Sequence, residues 1–207
     1  MRIIETEDDI AEGVAHLAAA EPRFAAVLPQ LAPLPLRRSP EGFEQLLWAI
    51  VGQQLSIASA AAIRARLAEA GLTAPQPILA APDQLLRAAG LSGPKIRYVR
   101  ALAAAPPDFG ALRHMPEAEA VGALTTLPGI GVWTAEIYLM FSLGRADVFC
   151  AGDLALQESA RMLFDLPARP TERALRAMAA DWAPWRAVAA RALWAYYRHA
   201  KGREGVT

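Results

Sequence analysis

The chain has 207 residues, enough for one sizeable core or two small lobes. Its 54% hydrophobic and 20% charged residues exclude a disordered chain, and its single cysteine, Cys150, excludes an internal disulfide, a cysteine zinc site and a four-cysteine iron–sulfur cluster. The formal net charge is zero, but residues 1–83 hold 6 Lys+Arg against 10 Asp+Glu and residues 84–207 hold 15 against 11, so the second half can offer phosphate a basic face.

The order of helices follows from period and punctuation. The acidic start MRIIETEDDI reads as neither a signal nor a transit peptide, and Thr6, three residues before Asp9, opens a helix over 6–20. Glu44 to Val51 opens an apolar helix. Ser56 to Ala70 is another, with Ile57, Ala60, Ala61, Ile63 and Leu67 on one face and Gly71 as its C-cap. Further helices are expected near 83–89, 95–105, 117–124, 132–143, 154–165, 171–181 and 184–201. The breaks between helices carry Pro or Gly, as at Pro33-Leu34-Pro35, Pro106-Pro107, Pro128-Gly129, Pro167 and Pro170. No alternating run argues for a sheet, so the fold class is all-α, with about ten short helices. Arg or Asp breaks every long apolar run, so none can span a bilayer. The chain is expected to be soluble, intracellular and monomeric.

The strongest local signal is Leu127-Pro128-Gly129-Ile130-Gly131-Val132-Trp133-Thr134-Ala135, between two helices. Two glycines two apart allow a tight turn and a close backbone approach. The amides that follow sit at a helix N-terminus, which favours an anion, so such a hairpin can grip a backbone phosphate without reading a base. No strand precedes it and a third glycine is missing, so it is not a dinucleotide fingerprint. Asp147-Val148-Phe149-Cys150-Ala151-Gly152-Asp153-Leu154-Ala155-Leu156-Gln157 follows, with Asp153 where a helix begins. There Asp153 is an N-cap, and its charge is also placed to stabilise a cation. His16, His114 and His199 lack ligand spacing, so a catalytic metal is not expected.

These two segments together resemble the hairpin and catalytic segment of the helix–hairpin–helix (HhH-GPD) DNA glycosylase superfamily. Three more resemble its DNA-3-methyladenine glycosylase II branch, which removes alkylated bases: Ala49-Ile50-Val51-Gly52-Gln53-Gln54-Leu55-Ser56, Gly90-Leu91-Ser92-Gly93-Pro94-Lys95-Ile96-Arg97-Tyr98, and the stretch from Trp182 to Trp194. The resemblance covers about residues 40–200 and implies a catalytic Asp153. It implies a phosphate-gripping hairpin at Gly129, Ile130 and Gly131, with a sodium or potassium ion on the carbonyls of Thr125, Leu127 and Ile130. It also implies a minor-groove loop at Gln53, Gln54 and Leu55 that fills the gap left by a flipped nucleotide, and base-pocket walls at Trp133 and Trp194. Lys95 is weighed between a DNA contact and a solvated face. Trp48, Trp182 and Trp185 are expected in the core.

The departures from the family pattern also carry information. Trp133 stands where bifunctional members carry a lysine, which implies a monofunctional enzyme leaving an abasic site. The cysteines of the iron–sulfur members are missing. Ile137 stands where the best-known alkylation-repair member has a pocket tyrosine. The implied architecture is a middle helical lobe over 42–146 and a second lobe from 1–41 plus 147–207, with the active site in a cleft between them. The implied partner is duplex DNA containing alkylated purines of the 3-methyladenine and 7-methylguanine type, at a cytoplasmic location. The implied chemistry is hydrolysis of the N-glycosidic bond of a flipped-out base. A cationic purine is already a good leaving group, so one carboxylate stabilising an oxocarbenium-like sugar suffices. A non-catalytic helix–hairpin–helix DNA-binding protein stands as the alternative.

Overall fold

The computed structural model describes residues 1–31 and 33–202. It is all-α: the only β feature among the described residues is an isolated antiparallel bridge between Ile3 and Arg145. The helices are α1 Glu7–Ala20, α2 Pro22–Leu31, α3 Phe43–Gly52, α4 Ile57–Glu69, α5 Pro75–Ala80, α6 Asp83–Ala88, α7 Gly93–Ala104, α8 Phe109–Leu112, α9 Glu117–Thr125, α10 Val132–Phe141, α11 Leu154–Leu163, α12 Glu172–Met178 and α13 Arg186–Lys201. A 3-10 turn, Ala179–Trp182, joins α12 to α13. The expected helices are present, and α2, α5 and α8 are additional. Prolines mask two of them: Pro22 and Pro75 occupy first-turn positions, where the missing N–H costs nothing, and Pro29 sits inside α2. The third, α8, is four residues long and capped by Asp108.

The chain forms two compact units. One joins 1–38 to 139–207; the other is 39–138. The sequence reading divides the chain at 42 and 146, whereas the second boundary here falls inside α10. No loop signal marks that position, because α10 is a continuous apolar helix.

In the first unit α13 packs on α1, α2 and α11. Its buried face is mostly alanine, from Ala187 through Ala195, so neighbouring backbones approach closely. Gly13 of α1 shows how closely: a Cβ there would lie 2.5 Å from Val188 Cγ2 and 2.9 Å from the Trp185 ring. Trp182 anchors an aromatic cluster, edge-on to Phe24 at 5.3 Å and to Phe149 at 5.5 Å, and stacked on Phe164 at 5.7 Å. Trp182 and Trp185 are buried as expected, and Cys150 is fully buried. The Thr6–Asp9 signal is a full capping box, with each side chain bonded to the other's backbone N–H.

In the second unit α7 packs on α3, α5 and α6, around Leu46, Leu47, Ile50, Leu67, Ile78, Leu86 and Leu102. Trp48 departs from its expected core position. It is half-buried on α3, donates its indole N–H to Glu44 Oε1 at 3.1 Å and lies 5.8 Å beneath the Arg64 guanidinium. The apolar stripe of α3 passes through Leu46, Leu47 and Ile50 and leaves Trp48 at its edge.

Candidate functional site

Each unit carries one constellation. In the second unit it is built on the turn between α9 and α10. Gly129 has φ +88°, a conformation that favours glycine, and a Cβ there would meet the Tyr98 ring at 2.6 Å. Gly131 accepts the Ala135 amide at 3.0 Å, so it caps α10, and a Cβ on Gly131 would meet open space. The first amides of α10 therefore have no intrahelical acceptor. Val132 and Trp133 on that turn are each 46% exposed.

Two side chains fix the neighbouring loop, one of them to this turn. The Gln53 amide donates to the Gly129 carbonyl at 2.7 Å. The Lys95 ammonium donates to the carbonyls of Val51 and Gln53, each at 2.7 Å, and so closes the end of α3. Burial holds Lys95 below the ordinary lysine range. Gln54 follows in the left-handed region at φ 56°, and Leu55 is 39% exposed. A groove of about 440 Å³ results, lined by Gln53, Gln54, Ser92, Pro94, Lys95, Tyr98, Gly129, Ile130 and Gly131. Six of the seven expected DNA-contacting residues share it, and Leu55 lies outside its lining. Sequence reasoning had not singled out Tyr98, although Gly129 marks where a ring can fill the missing Cβ.

The Thr125, Leu127 and Ile130 carbonyls belong to the same stretch. That of Leu127 also accepts the Ile130 amide at 3.0 Å, which leaves a lone pair for a cation. All three donors are neutral oxygens, a set that suits a hard ion such as sodium or potassium.

In the first unit the constellation surrounds Asp153, the N-cap of α11. Its Oδ1 accepts the amides of Ala155 at 2.9 Å and Leu156 at 3.0 Å. The same oxygen accepts the indole N–H of Trp194 at 3.3 Å. Trp194 comes from α13 and stacks on Phe141 at 5.9 Å with 28° between planes. The turn before Asp153 is also fixed. The Asp153 amide donates to Cys150, and the buried Gln157 side chain donates to the Ala151 carbonyl at 2.9 Å. Two backbone amides and one indole N–H thus converge on a single carboxylate oxygen at the N-terminus of α11. Phe141, which supports Trp194, carries no sequence signal that separates it from ordinary core.

Comparison with known proteins agrees with this arrangement. The model of the HhH-GPD superfamily of base excision DNA repair proteins matches residues 47–184. The chain belongs to that superfamily. DNA-3-methyladenine glycosylase 1 of Schizosaccharomyces pombe is 33% identical over 163 residues, covering 74% of this chain and 72% of the relative. A crystal structure of DNA-3-methyladenine glycosidase from Bacillus halodurans superposes with TM-score 0.82 at 32% identity, covering 98% of this chain and 95% of that one. The S. pombe 3-methyladenine DNA glycosylase in complex with abasic DNA superposes with TM-score 0.78 at 27% identity, covering 95% and 100%. Within the HhH-GPD superfamily, then, the chain is of the 3-methyladenine glycosylase type. No helix among the described residues is long and apolar enough to cross a membrane.

Proposed function

We propose that the protein is a monofunctional DNA glycosylase of base excision repair. It hydrolyses the N-glycosidic bond of flipped-out alkylated purines, 3-methyladenine and 7-methylguanine among them, and leaves an abasic site. The observation that carries this reading is the Asp153 carboxylate, which two backbone amides and the Trp194 indole fix at the start of α11. A fixed negative charge has no role in gripping phosphate. It suits the positive charge that develops on the sugar as the base departs.

The other residues divide the remaining work. The Gly129–Gly131 turn and the N-terminal end of α10 take a backbone phosphate, a contact that carries no sequence information. The carbonyls of Thr125, Leu127 and Ile130 would hold a sodium or potassium ion, which supplies positive charge beside that phosphate. Gln53 is bound to Gly129, so Gln54 and Leu55 are the loop residues placed to fill the gap behind a flipped nucleotide. Trp133 and Trp194 offer aromatic faces to a cationic purine, each contact worth roughly 0.5–2 kcal/mol. A lyase reaction would need an amine nucleophile. Lys95 holds two carbonyls, and Lys201 lies 3.8 Å from Glu158.

Asp153→Asn tests the reading. Asn caps a helix as well as Asp does, so stability and DNA affinity should hold. Single-turnover release of 3-methyladenine should fall by on the order of 10²–10³. Release at the wild-type rate would reduce Asp153 to a cap and favour a DNA-binding protein without catalysis. Borohydride trapping of a covalent protein–DNA adduct would overturn monofunctionality.

A further inference from the structure

The first unit carries a second concentration of charge that the reading above leaves unused. Arg191, Trp194 and Arg198 follow one another at i, i+3 and i+7 on one face of α13. Arg191 is 3% exposed. Its Nη1 donates to the Ala187 carbonyl at 2.9 Å and its Nη2 to the Leu36 carbonyl at 3.2 Å, while its buried Nε has no partner among the described residues. The segment that Arg191 holds presents Arg37, whose φ of 42° is unusual for a residue with a side chain. The Arg37 guanidinium lies 4.7 Å from the centre of the Phe141 ring and that of Arg191 lies 4.9 Å from it, so no more than about 10 Å separates them.

Arg37, Arg38, Arg191 and Arg198 have no carboxylate partner among the described residues. Their mutual repulsion is felt. Burial and the fields of Arg37 and Arg38 push Arg191 down to about 10, and partial desolvation of its guanidinium against its neighbours, with the field of Arg198, pushes Arg37 down. A cluster of this kind, with a strained residue and an unsatisfied buried donor, lacks a counter-ion among the described residues. Guanidinium groups match the oxygens of phosphate in charge and in geometry. Phe141 also stacks on Trp194, which bonds Asp153, so three side-chain contacts in series link the arginines to the carboxylate.

We propose that Arg37, Arg191 and Arg198 form an anion site in the first unit that takes a backbone phosphodiester of the DNA, separate from the phosphate at the hairpin. The identification of the anion rests on the glycosylase reading; the site itself does not. Arg37 is exposed and Arg198 half-buried, so both can reach a ligand and both can be changed without opening the core. Arg191 fixes the 36–37 backbone from beneath, and its Nε supplies the donor that an incoming oxygen would satisfy.

The test compares wild type, the double variant Arg37→Ala/Arg198→Ala, and Arg173→Ala as an exposed arginine of the same unit outside the cluster. Two measurements are made: the slope of log affinity against log salt for a duplex bearing a stable abasic-site analogue, and the gain in Tm produced by inorganic phosphate. The proposal expects the double variant to lose about one from the slope, since each neutralised phosphate contributes about 0.9. It also expects the variant to lose most of the phosphate-induced gain in Tm, with circular dichroism unchanged. Arg173→Ala should match wild type in both. A double variant that matches wild type in both overturns the site. Wild type that gains Tm from phosphate through these arginines yet ignores the duplex upholds the anion site and removes the DNA reading.

Discussion

The hairpin groove and the Asp153 turn are built differently, and the proposed function gives them different work. The groove rests on backbone features: a glycine at positive φ beside the Tyr98 ring, and two carbonyls held by Lys95. Its side chains mainly hold the loops in place. The Asp153 turn depends on side chains, with one carboxylate oxygen receiving donors from α11 and α13. A phosphate can be gripped by any well-placed amides, whereas stabilising a departing base's sugar needs a full charge at one position. The groove should therefore govern affinity and the turn should govern rate.

Trp194→Phe is the sharpest test of that division. It keeps an aromatic ring over Phe141 and removes the N–H that holds Asp153. We expect kcat to fall about tenfold with duplex affinity unchanged, because a small misplacement of a catalytic group is costly. A change in affinity alone would assign Trp194 to binding and blur the comparison. Within the groove, the two glycines should part company. Gly129→Ala combines positive φ with a collision against Tyr98, and should lower stability by about 1–3 kcal/mol in a denaturant titration. Gly131→Ala meets open space, so its stability should hold while affinity for damaged and undamaged duplex falls alike.

Lys95→Met should have a smaller effect. If the ammonium only closes α3, Tm drops modestly and the salt dependence of DNA affinity keeps its slope. A slope shallower by about 0.9 would show that Lys95 also neutralises a phosphate. The weakest effect concerns pH. Hydrogen bonds from Glu5 and Thr6 hold the Asp9 carboxyl below its ordinary range, and Arg161 does the same for Glu158; both lie in the first unit. A lowered folded pKa contributes stability above about pH 4, which is lost as the pH falls through the folded value. Asp9→Asn should therefore flatten the acid-side fall in Tm between about pH 5 and 3.

The two constellations were not equally legible in the sequence. Gly129-Ile130-Gly131 declares itself, because glycine is the residue a positive φ and a close ring select. Asp153 reads only as a helix cap in isolation, and resemblance to the superfamily was needed to give it chemistry. The Trp194 bond to Asp153 spans 41 positions, and no local pattern encodes a contact of that range. For the same reason, Arg191 reads as a surface charge within RAVAARALW, although it is buried. The expected helices follow their caps and periods, while α2 and α5 were missed where proline reads as a break but serves as a first turn or is tolerated within the helix, and α8, four residues long, is too short to show a period. Trp48 was misplaced because residue size suggested burial and helix phase decided otherwise.

Methylating reagents attack soft nucleophiles as well as purine nitrogens, so an enzyme that repairs their damage is exposed to the same chemicals. The only sulfhydryl in this protein belongs to Cys150, which has no accessible surface. Nucleophilic attack requires both a thiolate and an approach path, and the packed interior denies the second. The folded enzyme should therefore leave a thiol-directed reagent unconsumed until it is denatured.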